Sequence, residues 1–69
     1  LLLHRSSLNQ IVARFYFKKG TDEQTAKRYL MASRYFDKAI QFDSKYTEAY
    51  IENGRVNLTM RKKGGEFGL

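Results

Sequence analysis

His4 is the only histidine in the sequence, and there is no cysteine. A zinc site needs several nitrogen, sulfur or carboxylate ligands that converge, and a catalytic base needs a nucleophile or an orienting partner within reach. Nothing clusters around His4 in that way, so it is expected at the surface. Asp22 and Glu23 form an adjacent acid pair, which the start of a helix explains as well as an acid–base device would. Ser6-Ser7 has no elbow glycines around it, and Gly64-Gly65 lacks the Lys-Ser/Thr of a phosphate-binding loop. The expectation is a chain that is not an enzyme, with no catalytic residues, no metal and no cofactor.

Cations and aromatics interleave in Arg14-Phe15-Tyr16-Phe17-Lys18-Lys19, in Arg28-Tyr29 and in Arg34-Tyr35, and Arg61-Lys62-Lys63 closes the helical pattern. Such groups can release counterions from phosphates and stack on bases, so Lys18, Lys19, Arg61, Lys62 and Lys63 are candidate RNA or anion contacts. The same five cations at helix C-termini would complement the helix dipole with no ligand at all.

Sixty-nine residues allow one small domain, and the formal charge of +6 is divided between basic ends and a balanced middle. Without cysteine there is no disulfide frame, so helix packing or a partner must stabilise the chain, and an intracellular setting is expected. No apolar run approaches the roughly 20 residues that cross a bilayer. The acid-free opening, residues 1–20, is similar in composition to an organellar transit peptide. Its stripe Leu8, Ile11, Val12 and Phe15 is nevertheless better read as core. Cytoplasm, plastid and mitochondrion all remain open.

The pattern is all-α. The stripe just named predicts a helix over about 8–19, capped at Ser6 or Ser7 and stopped by Gly20. Thr21 with Gln24 fits a capping box, and Ala26, Tyr29, Ala32, Phe36, Ala39 and Ile40 then extend a second helix over about 21–43. Asp43 and Ser44 carry turn chemistry, and a third helix over about 47–63 contains Ala49, Tyr50, Val56, Leu58 and Met60. Strands are disfavoured because no period-two alternation persists. Residues 1–63 form one domain, and 64–69 are a flexible tail in which Glu66-Phe67 beside glycines is compatible with a cloning scar.

Ala32-x3-Phe36-x2-Ala39-x4-Ser44, followed by Thr47-Glu48-Ala49-Tyr50-x3-Gly54, resembles the joint between two tetratricopeptide (TPR) repeats. Ala13 and Tyr16 resemble the small and aromatic pair of a first helix. The resemblance implies an antiparallel helical hairpin plus a third helix, about one and a half units, with Ala32 and Ala39 as close-contact points and Phe36 filling the space between helices. Ser44 stands where a turn proline is usual, and Gly54 is expected as a close-contact point of the next hairpin. Ala13 and Gly54 are 41 positions apart, seven more than a 34-residue repeat, so the second helix is expected to be extended by two turns. In that feature, and in Glu48-Ala49-Tyr50, the segment is similar to the last repeat of plastid TPR proteins that assist photosystem I assembly. Asn53 and Asn57 replace the leucine and aromatic usual in the family, and amides on a packing face require hydrogen-bond partners.

The resemblance implies a noncatalytic module that binds a protein or peptide, acidic in one version, through Gln10, Arg14, Tyr50, Ile51, Arg55 and Leu58. Arg14 and Arg55 would pair with its carboxylates. The Lys and Asn pair with which some TPRs clamp chaperone C-termini is not reproduced. One and a half units cannot bury their apolar faces alone, so the chain is expected in a longer repeat protein, in a larger assembly or as a homo-oligomer. A small RNA- or ribosome-associated subunit and an accessory subunit of an organellar membrane complex are the alternatives.

Overall fold

The computed structural model describes the backbone of residues 2–68 and the side chains of residues 7–63. Three helices follow one another, α1 (Leu2–Thr25), α2 (Tyr29–Phe42) and α3 (Thr47–Gly68), and there is no strand among the described residues. The fold is all-α, as the periodicity requires. α2 packs against both α1 and α3. The body measures 51 × 19 × 13 Å, so its cross-section is close to the helix diameter of about 10–12 Å in one direction and under twice that in the other, which leaves every helix a face in solvent. His4 and Ser6 and the proposed tail at 64–69 lie outside the described side chains.

The boundary between the first two helices is not where the sequence places it. Gly20 does not stop α1, and Thr21 is not an N-cap; its hydroxyl donates to the Lys18 carbonyl at 2.8 Å inside the helix. The long helix is therefore α1, with 24 residues, whereas α2 has 14, and the extended second helix does not exist. Of the two features likened above to the photosystem I assembly proteins, the long second helix is therefore absent and Glu48-Ala49-Tyr50 is what is left. Ser6 and Ser7 likewise fall within α1 and do not begin it.

What ends α1 is backbone bonding at residues 26–28. The Arg28 N–H donates to the Glu23 carbonyl at 2.9 Å and the Lys27 N–H to the Gln24 carbonyl at 3.0 Å, with Lys27 at φ 67°. This is a Schellman closure, whose left-handed position is normally glycine. A lysine there hides the stop from a search for glycine. Lys27→Gly is expected to stabilise the fold by about 0.5–1 kcal/mol, measured by urea denaturation, because the left-handed conformation no longer costs a side chain.

The face that α1 buries follows from its true length. Ala13 and Gly20 are buried, with Tyr16, Phe17 and Gln24 partly covered, at i, i+3, i+4, i+7 and i+11. Leu8, Ile11 and Phe15, expected as core, are 50%, 61% and 56% exposed, and only Val12 of that stripe is partly buried. The physical reason is close approach. Ala13 and Gly20 let α2 come near enough for the Phe36 ring to lie on the Gly20 backbone, where an added Cβ would stand 2.6 Å from the ring. A stripe of branched and aromatic side chains could not admit it.

Among the described side chains Phe36 and Val56 are the two large ones buried completely, and alanines 13, 32, 39 and 49 supply the remaining buried apolar residues. Ala13, Ala39 and Ala49 meet under Tyr16, Phe17, Ile40 and Tyr46; Ala32, Phe36 and Val56 meet under Phe17, Tyr29 and Met60. Ala26, expected on the buried stripe, is exposed in the turn.

The joint between α2 and α3 lies where Asp43 and Ser44 predict it. The Asp43 carboxylate accepts the Lys45 N–H at 3.1 Å, and the Tyr50 hydroxyl donates to the Ser44 carbonyl at 2.9 Å. The amides of α3 find partners. The Ser33 hydroxyl lies 2.8 Å from Asn53 Oδ1 and 3.3 Å from Asn57 Oδ1, and Asn53 Nδ2 donates to the Asp37 carboxylate at 2.8 Å. Asn53→Ala is expected to cost about 1 kcal/mol in chemical denaturation, since it removes the acceptor of a buried hydroxyl and a donor to a carboxylate.

Candidate partner-binding face

α3 is covered on one side only. Ala49 and Val56 are buried and Glu52, Asn53, Thr59 and Met60 are partly covered, all turned toward the rest of the fold. On the opposite side Tyr50, Ile51 and Leu58 are 49%, 50% and 52% exposed, and around Gly54 no atom lies within 4 Å of the position a Cβ would take. Gly54 is thus not a close-contact point within this chain. Tyr50 is also held at its tip by the bond to Ser44, so its ring presents a side to solvent.

Comparing α3 with α1 explains this opening. Thirty-four positions separate Tyr16 from Tyr50 and Gly20 from Gly54, and the same shift takes Phe17 to Ile51 and Gln24 to Leu58. The residue equivalent to Gly54 is therefore Gly20, where the sequence had pointed to Ala13, and the apparent excess of seven residues disappears. Tyr16, Phe17, Gly20 and Gln24 are buried or partly covered on α1, whereas their counterparts Tyr50, Ile51, Gly54 and Leu58 are exposed on α3. Tyr16 stacks on Tyr35 and Phe42, with ring centroids 6.2 and 5.7 Å away, whereas Tyr50 has no such stack among the described residues.

Arg55 lies at the edge of this face and pairs with Glu52 at 3.6 Å, and Glu52 in turn accepts a 3.3 Å hydrogen bond from Gln24 of α1. Arg61, Lys62 and Lys63 are exposed further along α3. Arg14 and Gln10 are exposed on α1. Gln10 borders, with Asn9, Phe42, Asp43, Ser44 and Lys45, an open depression of about 310 Å³ at the α2–α3 joint. Burial pushes the Tyr46 hydroxyl above its ordinary pKa, helped by the charge of Glu48 and opposed by that of Arg14.

The five candidate anion-contact cations are not at helix ends, because α1 continues to Thr25 and α3 to Gly68; neither helix has a basic residue in its last turn. Helix-end dipoles therefore do not account for these charges. Lys18 faces Asp22 at 3.7 Å, Lys19 lies over the Phe15 and Tyr35 rings at 5.1 and 5.8 Å, and Lys63 lies over Tyr29 at 5.3 Å. Three of the five are thus engaged with groups of this chain.

No protein-family model matches this chain, and no curated protein or solved structure matches it either. No helix among the described residues is long and apolar enough to cross a membrane.

Proposed function

We propose that this chain is a noncatalytic helical-repeat module of the TPR kind that binds a protein partner. The observation that carries the reading is the 34-residue recurrence, the repeat length of that family, combined with one covered and one open copy of the same helix face. Ala32, Phe36 and Ala39 in the core and Ser44 in the joint support the same register. Open apolar surface on α3, and on the outer side of α1 at Leu8, Ile11 and Phe15, favours a protein over RNA as partner, since nucleic-acid faces are polar and basic.

A photocrosslinking residue at position 58, compared with the same residue at exposed position 38, tests this in the source cells. A protease-sensitive adduct from position 58 and none from position 38 is expected. A ribonuclease-sensitive adduct, or none from position 58, overturns the proposal and returns the cationic residues to consideration.

A further inference from the structure

Asn53 is followed by Gly54, the one place in this sequence where an asparagine precedes a residue with no side chain. In an unfolded chain such a pair reacts with itself. The deprotonated backbone nitrogen of the glycine attacks the asparagine Cγ, the Nδ2 amino group leaves as ammonia, and water opens the resulting cyclic imide to aspartate or to isoaspartate. The net change is carboxamide plus water to carboxylic acid plus ammonia, with nothing oxidised or reduced. Glycine permits the attack because it has no Cβ to crowd the approach and few limits on its backbone angles. The fold withholds this reaction. Gly54 lies inside α3, so its N–H is committed to the Tyr50 carbonyl one turn back. The Asn53 carboxamide is bonded at both ends: Oδ1 accepts from the Ser33 hydroxyl at 2.8 Å and from Asn57 Nδ2 at 3.4 Å, and Nδ2 donates to the Asp37 carboxylate at 2.8 Å. Ser33 and Asp37 belong to α2, so the carboxamide can turn onto its own backbone only when α3 parts from α2.

We propose that Asn53-Gly54 is a site of spontaneous modification, held in check by Ser33 and Asp37, at which a transient opening of α3 is converted into a permanent one. Opening is within reach, because α3 buries only Ala49 and Val56 and carries an interior glycine that costs about 1 kcal/mol relative to alanine. The products make it permanent. In the aspartate form an oxygen stands where Nδ2 stood, so two carboxylates face each other across the 2.8 Å at which a donor met an acceptor, and like charges at that distance repel. In the isoaspartate form the chain runs through the former side-chain methylene, and the added backbone atom breaks the hydrogen-bond register of α3 just before Val56. Either product loosens the seat of Val56 against Ala32 and Phe36, and the α3 face carrying Tyr50, Ile51 and Leu58 loses its support with it. Neither returns to asparagine, since the ammonia has gone. Nothing in this chemistry depends on what α3 binds.

The test follows the full chain through prolonged incubation at neutral pH and physiological temperature, read by peptide mapping and by enzymatic labelling of isoaspartate. Conversion is expected at Asn53 and not at Asn9 or Asn57, which precede Gln10 and Leu58 and serve as controls in the same chain. It is expected to run faster by roughly tenfold or more in guanidinium that unfolds the chain, because the native chain reacts only through its open population. Asp37→Ala, at an exposed position of α2, releases Nδ2 and leaves the Asn-Gly pair intact; it is expected to speed conversion several-fold in buffer and to leave the rate in guanidinium unchanged. Gly54→Ala is expected to suppress conversion in both. The product is read separately by thermal melting. Asn53→Asp is expected to melt lower than Asn53→Ala, and adding Asp37→Asn is expected to restore most of that extra loss by giving the new carboxylate a donor. Equal rates at Asn53 with and without guanidinium, a rate in buffer that Asp37→Ala does not raise, or equal conversion at all three asparagines overturns the proposal. So does an Asn53→Asp chain that melts no lower than Asn53→Ala, or one that Asp37→Asn fails to rescue.

Discussion

Phe36→Ala is expected to leave the chain unfolded, seen as loss of cooperative thermal melting and of near-ultraviolet signal from the tyrosines. Phe36 is one of two large side chains with no solvent exposure, it touches the Gly20 backbone, and its ring lies 5.4 Å from that of Phe17. Truncating a buried phenylalanine costs about 3–5 kcal/mol through lost transfer energy and the cavity left behind. Domains of this size have only a small margin, on the order of 3–5 kcal/mol, when built on one apolar core. The remaining buried residues cannot compensate, because four are alanines, each contributing a single methyl group. Retention of a sharp transition within about 1 kcal/mol of the parent would show that Phe36 does not organise the joint between α1, α2 and α3.

The second expected result is a difference in sign between two identical substitutions. Gly20→Ala and Gly54→Ala both replace a glycine inside a helix, a change worth about 1 kcal/mol in favour of alanine where nothing else intervenes. At Gly54 nothing intervenes, and the full gain is expected. At Gly20 the new methyl would be 2.6 and 2.7 Å from two atoms of the Phe36 ring, and that ring is fully buried in a cluster with Ala32 and Val56. Overpacking of a well-filled core costs about 1–3 kcal/mol, which outweighs the helix gain. Gly20→Ala should therefore lower stability while Gly54→Ala raises it, a separation of about 2 kcal/mol in parallel urea melts. Equal responses would mean that the two faces do not differ as described.

The two glycines also mark where the sequence could be read and where it could not. Helical content was legible throughout, because apolar residues recur at threes and fours and strand signals are missing. The α2–α3 joint was legible too, since Asp43 and Ser44 are turn formers whose side-chain and carbonyl groups take up local bonds. So was the need of Asn53 and Asn57 for partners, which Ser33 and Asp37 meet. The first joint was not legible. A glycine followed by a Thr-x2-Gln pattern outcompetes Lys27 as a stop signal in any local reading, because left-handed lysine is rare. The covered stripe of α1 is Ala13, Tyr16, Phe17 and Gly20, and not Leu8, Ile11 and Phe15, because the small residues admit α2 at close range.

The candidate face divides in the same way. Tyr50, Ile51 and Leu58 were implied as a surface by the family resemblance and not by spacing, and the structure leaves all three half exposed. Their relation to α1 emerged only with the register, since a 34-residue equivalence counts from Gly20 only when Gly20 is known to lie within a helix. Gln10, grouped with them by the same resemblance, lies on α1 and borders the depression at the α2–α3 joint.

By itself, then, the amino-acid order determined an all-α chain of three helices and one well-marked joint, because these depend on periodicity and on bonding between near neighbours. Tertiary structure alone decided which side of α1 is inside and which glycine is occupied. Those outcomes depend on how closely two helices approach, and that distance is set by the pairing of Gly20 with Phe36 across separate elements, a contact that no local pattern encodes.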